Sequence, residues 1–546
     1  MILRFVLPLI LILGLVVEIN SLAQSKKYFV EFTDKQNSPY SLTRPAEFLS
    51  GRALNRRVKQ NIVLSARDLP VNPAYIAAVQ QTGARIWYSS RWMNGVLIEA
   101  DDMALGRVSA LPFVKPLDTG SRVTNEGLSN TGNAQKSQAA RQTTIDYGNS
   151  LRQNAMLGID RMHAAGFTGQ GVHIAVMDGG FFSANTMGVF GKLFASQQVL
   201  GTYDFVRKQT NVYDKSRHGT QVWSALAGYQ PGALVGPAYG ASYWLLRTED
   251  EASEYRVEEV NWLIAAEFAD SAGVDIINTS LGYTDFDDRT MDYRPTDMDG
   301  KTAFITRAAR LAAATGMLVV VSAGNEGNRS WRTLSAPADA DSVLAVAAVN
   351  QFRERATLSS SGRILRSGTI KPNLAAQGVG TVVFNPPNNV GAESGTSLSA
   401  PLVAGLAAGL WQAFPELTNQ QLLGYLQRSG SQAAAPDTLL GYGIPEFSKA
   451  YDLIQKELGP AAPLGYIYPN PLVHNEISFR LKQSELGKPL HFEFFDTQGR
   501  LLYQHTVSNP LSEIRLSLSP GLFKPGLYLL KVTNPGTQVT LRVVKL

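Results

Sequence analysis

Residues 395–414 read Gly395-Thr396-Ser397-Leu398-Ser399-Ala400-Pro401-Leu402-Val403-Ala404-Gly405-Leu406-Ala407-Ala408-Gly409-Leu410-Trp411-Gln412-Ala413-Phe414. From Leu398 to Phe414 the run carries no charge and is dense in Ala and Gly. Its length invites a membrane reading, but it is rich in Ala and Gly and starts inside a small polar motif. A helix apolar on every side is buried in a large protein, so a central helix is predicted here. Ser397 then sits at a helix N-terminus, where unpaired N–H groups and the positive dipole end favour a developing oxyanion. Serine is also a good helix cap. A cap, however, does not require Gly395 and Ala400, whose small size lets a substrate come close.

Working outward, Val172-His173-Ile174-Ala175-Val176-Met177, Val274-Asp275-Ile276-Ile277-Asn278 and Met317-Leu318-Val319-Val320-Val321 are near-continuous apolar runs separated by helical patterns. That alternation over residues 147–456 predicts an α/β fold, a parallel sheet flanked by helices on both faces. Asp178 follows the first run and precedes Gly179-Gly180, which puts a carboxylate at the carboxyl end of a parallel strand, where α/β sites gather. Asn325 follows the third run in Ser322-Ala323-Gly324-Asn325-Glu326-Gly327-Asn328. Alone, either residue reads equally well as a turn-former. Of the six histidines, His163 falls on an amphipathic helix, His173 opens a strand, and His474, His491 and His505 lie in the C-terminal β-rich part. Only His218 stands in a local motif, Arg217-His218-Gly219-Thr220-Gln221.

Taken together, Asp178-Gly179-Gly180, His218-Gly219-Thr220, Ala323-Gly324-Asn325 and Gly395-Thr396-Ser397-Leu398-Ser399-Ala400-Pro401 resemble the motifs of the subtilisin-like serine proteases, in the family's order of Asp, His, Ser. Two departures are visible. Gly179 stands where the family more often has Ser or Thr, and Gln221 where it often has a second His. The resemblance implies a secreted serine endopeptidase with Asp178, His218 and Ser397 as catalytic triad and Asn325 beside the Ser397 N–H as oxyanion donor. It further implies that Ser280-Leu281-Gly282 pairs with an extended peptide and that Ser322-Ala323-Gly324 walls the pocket for the residue before the cut. Protein or peptide substrates are the expected partners, and the chemistry requires no cofactor. Two rivals stand beside this reading: a non-catalytic adhesion protein on the same fold, and a transpeptidase or esterase.

Composition narrows the partners. The 546 residues carry 50 basic and 45 acidic side chains, net +5, with no block of like charges, so nucleic acid is not suggested. Without cysteine, neither a disulfide framework, a thiol nucleophile nor a Cys-based zinc site exists. The acidic stretch Asp285-Phe286-Asp287-Asp288, continuing to Asp297-Met298-Asp299-Gly300, has calcium-ligand chemistry but no regular ligand spacing, and reads as a solvated loop beside the groove. The metal content therefore stays open, with structural calcium as the one candidate.

The flanks have their own logic. Arg4, the apolar run Phe5 to Val17 and the small residues before Gln24 predict a cleaved signal peptide over residues 1–23, leaving no membrane span in the mature form. Residues 24–117 predict a small α+β domain, with strands at Tyr28–Phe32 and Gly95–Ala100 and a helix at Pro73–Thr82. It resembles the family's propeptides, which would make the enzyme's own propeptide a partner; the alternative is an accessory domain that stays attached. Residues 118–146 are a polar linker suited to processing. A Pro-rich linker at 457–465 leads to residues 466–546, short alternating strands with Gly, Pro and Asn turns that predict a small all-β sandwich. Tyr468-Pro469-Asn470-Pro471, Asp496-Thr497-Gln498-Gly499-Arg500 and the terminal Arg542-Val543-Val544-Lys545-Leu546 resemble the sorting domain of the type IX secretion machinery of Bacteroidetes. Export to the medium or the cell surface is implied.

Overall fold

The computed structural model describes residues 25–117, 122–123, 145–458, 464–468, 472, 475–481, 485–511, 513–519 and 521–545. The expected signal peptide, most of the 118–146 linker, residues 459–463 and the Pro-Asn-Pro opening lie outside the described residues. Strand β1 (Lys26–Glu31) pairs antiparallel with β3 (Gly95–Ala100), which pairs with β2 (Arg85–Ser90), and helices α1 (Gly51–Lys59), α2 (Pro73–Gln81) and α3 (Asp102–Ser109) complete this unit. Each helix starts on a capping side chain: Ser50, Asn72 and Asp101 accept from the N–H of Ala53, Ala74 and Ala104. Alternation decides the packing, because successive side chains in a strand point to opposite faces. Tyr28, Val30, Val96 and Ile98 fill the unit's own core, whereas Phe29 and Leu97 enter the core of the next domain.

That domain holds a seven-stranded, all-parallel sheet. Its elements are α4 (Leu151–Met156), α5 (Ile159–Ala164), β4 (His173–Asp178), α6 (Gly191–Ala195), β5 (Val199–Asp204), α7 (His218–Ala227), the short hairpin of β6 (Tyr229–Gln230) and β7 (Leu234–Val235), β8 (Ser242–Arg247), α8 (Val257–Ala272), β9 (Ile276–Thr279), α9 (Phe304–Ala314), β10 (Leu318–Ser322), β11 (Leu344–Val349), β12 (Leu374–Gln377), the hairpin of β13 (Thr381–Asn385) and β14 (Asn389–Glu393), α10 (Thr396–Ala413), α11 (Asn419–Ser429) and α12 (Phe447–Leu458). The order across the sheet is β12-β11-β10-β9-β4-β8-β5. From β4 the chain winds first to one side and then to the other, so the strand order reverses at β4 and β9. A crevice at the carboxyl ends of strands forms where such a reversal occurs. Both sheet faces are covered: Ile174 and Val176 pack with α7 and α10, and Ala175 and Met177 with α8 and α9. Every residue of α10 except Gln412 is buried, as its uninterrupted apolar sequence requires. The amphipathic helix expected around His163 is instead two short helices, because Gly158 takes a left-handed turn (φ 72°) between α4 and α5. Among the described residues no helix is long and apolar enough to cross a membrane.

The C-terminal strands are β15 (Gly465–Tyr468), β16 (Glu476–Leu481), β17 (Leu490–Phe495), β18 (Leu501–Val507), β19 (Glu513–Ser517), β20 (Gly526–Asn534) and β21 (Thr537–Lys545). They form antiparallel sheets β15-β16-β19 and β18-β17-β20-β21 around one core that includes Phe479, Phe492, Phe494 and Leu530. In β17 the buried Leu490, Phe492 and Phe494 alternate with partly exposed neighbours, the period-2 pattern its sequence shows.

Candidate active site

Asp178 is the last residue of β4 and fully buried, at the sheet's reversal point. His218 is the first residue of α7, and its Nδ1 lies 2.8 Å from Asp178 Oδ1 and 3.1 Å from Oδ2. This close approach depends on Gly219: a Cβ there would meet the Gly180 carbonyl at 2.2 Å and Asp178 Cβ at 2.9 Å. The carboxylate also accepts the Gly179 N–H at 2.8 Å, and a Cβ at Gly179 would crowd Ser216 Cβ and Oγ at 3.2 Å. Behind the imidazole, Ser216 Oγ accepts the His218 N–H at 3.1 Å and donates to the Glu251 carboxylate. Burial disfavours the imidazolium, yet the Asp178 charge and hydrogen bond, with Glu251 added, outweigh it and raise the His218 pKa above its ordinary value.

Ser397 is the second residue of α10, which packs against α7. Its Oγ donates to the Ser280 carbonyl at 3.2 Å and makes no hydrogen bond to His218. The return contact has a clear cause. Pro401, inside the helix, lacks the N–H that would close onto the Ser397 carbonyl four residues back. Ser280 Oγ supplies the missing donor at 2.8 Å. Each serine hydroxyl thus donates to the other's carbonyl, a link that the place of Ser280 in the expected peptide-binding segment did not disclose.

Asn325 follows β10, and its Oδ1 accepts both the Thr396 N–H (2.9 Å) and the Thr396 hydroxyl (3.0 Å). A backbone N–H can only donate, so the carboxamide oxygen must face it and the NH2 must face the other way. Among the described residues neither Asn325 Nδ2 nor the Ser397 N–H has an acceptor, and both stand at the amino end of α10. Gly324 has φ +103°, and a Cβ there would lie 2.7 Å from Ser335 Oγ and 2.8 Å from Ser360 Oγ, so this wall tolerates no side chain. Ser322 and Ala323 are buried, while Leu281 is half-buried and Gly282 exposed. Ser322 Oγ donates to the Leu281 carbonyl at 3.4 Å, which joins the two segments.

Other expectations resolve differently. Gln221, in place of a histidine, ties α7 to the hairpin by donating to Asn385 Oδ1 at 2.5 Å. The acidic stretch does not converge on a point: Asp288 accepts from Thr290, Asp297 from the Arg294 N–H, Asp299 from Lys301 and Thr302, and Asp287 from Glu254. Apart from Asp287, which reaches back 33 residues, these are local turn bonds of the kind short acidic side chains favour. Sequence reasoning missed Ser216 and Glu251, which support His218; Glu251 is remote in sequence and carries no motif.

The Subtilase family model matches residues 169–443, the Bacteroidota peptidase S8 propeptide model residues 27–139, and the secretion system C-terminal sorting domain model residues 466–546. Subtilisin E of Bacillus subtilis is 33% identical over 274 residues, covering 50% of this chain and 63% of its own length. Subtilisin of Bacillus pumilus is 32% identical over 274 residues, covering 50% of this chain and 87% of its own. Among solved structures, MycP1 from the ESX-1 type VII secretion system is 22% identical, with 56% of this chain and 86% of that chain covered at a TM-score of 0.43.

Proposed function

Because this chain belongs to the subtilase family, we propose that it is a serine endopeptidase in which Ser397, His218 and Asp178 cleave peptide bonds through an acyl-enzyme. Rotation about the Ser397 Cα–Cβ bond turns Oγ from the Ser280 carbonyl toward His218 Nε2. Oγ attacks the scissile carbonyl as Nε2 takes its proton; the same proton then goes to the leaving amine, and the C–N bond breaks. Water repeats the sequence on the ester and releases Ser397. Asp178 accepts from Nδ1–H, which keeps Nε2 as the basic nitrogen. The oxyanion is held by Asn325 Nδ2 and the Ser397 N–H. The observation that carries this reading is the Nδ1 bond from His218 to a fully buried carboxylate, with Nε2 left unpartnered among the described residues.

Ser280 to Gly282 and Ser322 to Gly324 would receive an extended peptide between them, adding a strand through main-chain hydrogen bonds. The N-terminal domain would act as propeptide until cut in residues 118–146. The sorting domain addresses the chain through type IX secretion to the cell surface or medium. The test is a fluorophosphonate probe followed by peptide mapping, with product analysis on peptides. Labelling at Ser397 and free hydrolysis products are expected. No labelling supports an adhesion protein, and ligated or ester products support the transferase or esterase.

Asn325→Ala should lower kcat/KM by about 10²–10³, about 2.7–4 kcal/mol, a range that comes from subtilisin, a relative, and not from this geometry. Its melting temperature should fall modestly, because the buried Thr396 N–H and hydroxyl lose their acceptor, and normal turnover would remove Asn325 from the mechanism. The pH profile gives a further check. A general base must be neutral, so activity is lost as pH falls through the raised His218 pKa, and the acid limb should lie above the ~6.5 of a free imidazole. Glu251→Gln removes one carboxylate and should move that limb to lower pH; a limb that stays in place would leave Asp178 alone responsible.

A further inference from the structure

Glu249, Glu254 and Glu258 offer carboxylate oxygens that all lie within 4.8 Å of one another. They come from the loop after β8 and the first turn of α8. Glu249 Oε1 accepts from the Thr248 hydroxyl (2.9 Å) and the Tyr283 hydroxyl (2.5 Å), and Glu258 Oε1 from the Asp250 N–H (2.7 Å). The other oxygen of Glu258 has no such partner. The residue is 2% exposed, and its Oε2 is sealed from solvent with no donor among the described residues. Nearby cations are engaged elsewhere. Arg247 donates to Asp204, Asp250 and the Gly179 carbonyl, and Arg256 lies over the Phe286 and Tyr293 rings and donates to the Met291 carbonyl. Three carboxylates whose oxygens meet this closely repel one another unless a positive partner stands between them.

We propose that Glu249, Glu254 and Glu258 form a binding site for one divalent cation of the calcium type. Carboxylate oxygens are the hard ligands this ion takes, and at 2.3–2.6 Å from the metal, ligands on opposite sides stand up to about 5 Å apart, which accommodates the span. The ion would serve the neighbouring crevice. The loop it closes donates the Thr248 N–H to the Asp178 carbonyl (3.0 Å), brings Glu251 to Ser216 beside His218, and reaches through Tyr283 to the segment that begins at Ser280. The Asp285 to Asp299 stretch borders the site, since Asp287 Oδ2 accepts the Glu254 N–H at 3.1 Å, but it supplies none of the three clustered oxygens, and the site stands independently of the hydrolytic reading.

The test uses the full chain carrying Ser397→Ala, stripped with EDTA, and titrated calorimetrically with calcium chloride. Calcium binding that Glu258→Gln or Glu249→Gln weakens at least tenfold, and that Asp288→Asn leaves unchanged, is expected. Thermal melts give an opposite-sign control. In EDTA, Glu258→Gln should melt at or above its parent, since a repelling carboxylate is gone. With calcium the parent should rise and the variant should not. A parent that binds no calcium at millimolar concentration, or variants that respond as the parent does, would overturn the site and leave the three carboxylates sharing protons.

Discussion

Replacing Ser397 with alanine should lower kcat by on the order of 10⁶-fold, a size taken from subtilisin, a relative, rather than derived from these distances. The change removes one oxygen and leaves the rest of the crevice standing. Helix α10 still starts at Thr396, whose N–H stays on Asn325 Oδ1, and Ser280 Oγ still occupies the carbonyl that Pro401 cannot pair. Only the Ser397 hydroxyl bond to the Ser280 carbonyl disappears, a contact at 3.2 Å. Peptide binding and melting temperature should therefore be preserved while turnover is lost. Mass spectrometry of the exported protein supplies the second readout: wild type cut within residues 118–146, the variant uncut. A variant that turns over at the wild-type rate would end the acyl-enzyme reading.

Asp270→Asn should cost about 3–5 kcal/mol, the usual price of breaking a buried charge cluster by removing one partner. Asp270, on α8, is fully buried and receives three guanidiniums from the N-terminal domain: Arg56, Arg57 at 2.8 Å through both Nη atoms, and Arg91 at 2.5 Å. These arginines are themselves between 2% and 8% exposed, so water cannot take the place of the lost carboxylate. Asn keeps the shape but turns an N–H2 group toward cations. Although burial raises the Asp270 pKa, the guanidiniums more than offset it and hold the group below the usual carboxylate range. Its contribution is thus present above the ~3.9 of an unfolded aspartate and is lost only as pH falls through the lower folded value. Chemical unfolding of Asp270→Asn in the Ser397→Ala background checks the figure, and faster proteolysis of residues 25–117 checks that it is the domain contact that weakens. A loss under about 1 kcal/mol would place the docking energy in Phe29, Trp92 and Leu97 instead.

Much of the architecture was legible in residue order. Buried parallel strands must be apolar on both faces, so the runs ending near Met177, Asn278 and Val321 declared themselves, within a residue or two of β4, β9 and β10. Helix α10 did so by an apolar surface that no exposed helix could carry. Asp178, His218, Asn325 and Ser397 could be singled out because each stands in small-residue motifs at the ends of those elements. Helix α1 was not legible: its buried face is arginine, apolar only in the stems, and its partners Asp270, Asp275 and the Val274 and Thr315 carbonyls lie more than two hundred residues away. Shorter but still non-local separations, of 34 to 117 residues, hid Glu251 behind His218, Ser280 against the carbonyl freed by Pro401, and the meeting of Glu249, Glu254 and Glu258 with Tyr283. Periodicity and local motifs record what a residue does with its chain neighbours; the pairing of charges and orphaned backbone groups between distant segments is decided only when the sheet closes and excludes the water that would otherwise satisfy them.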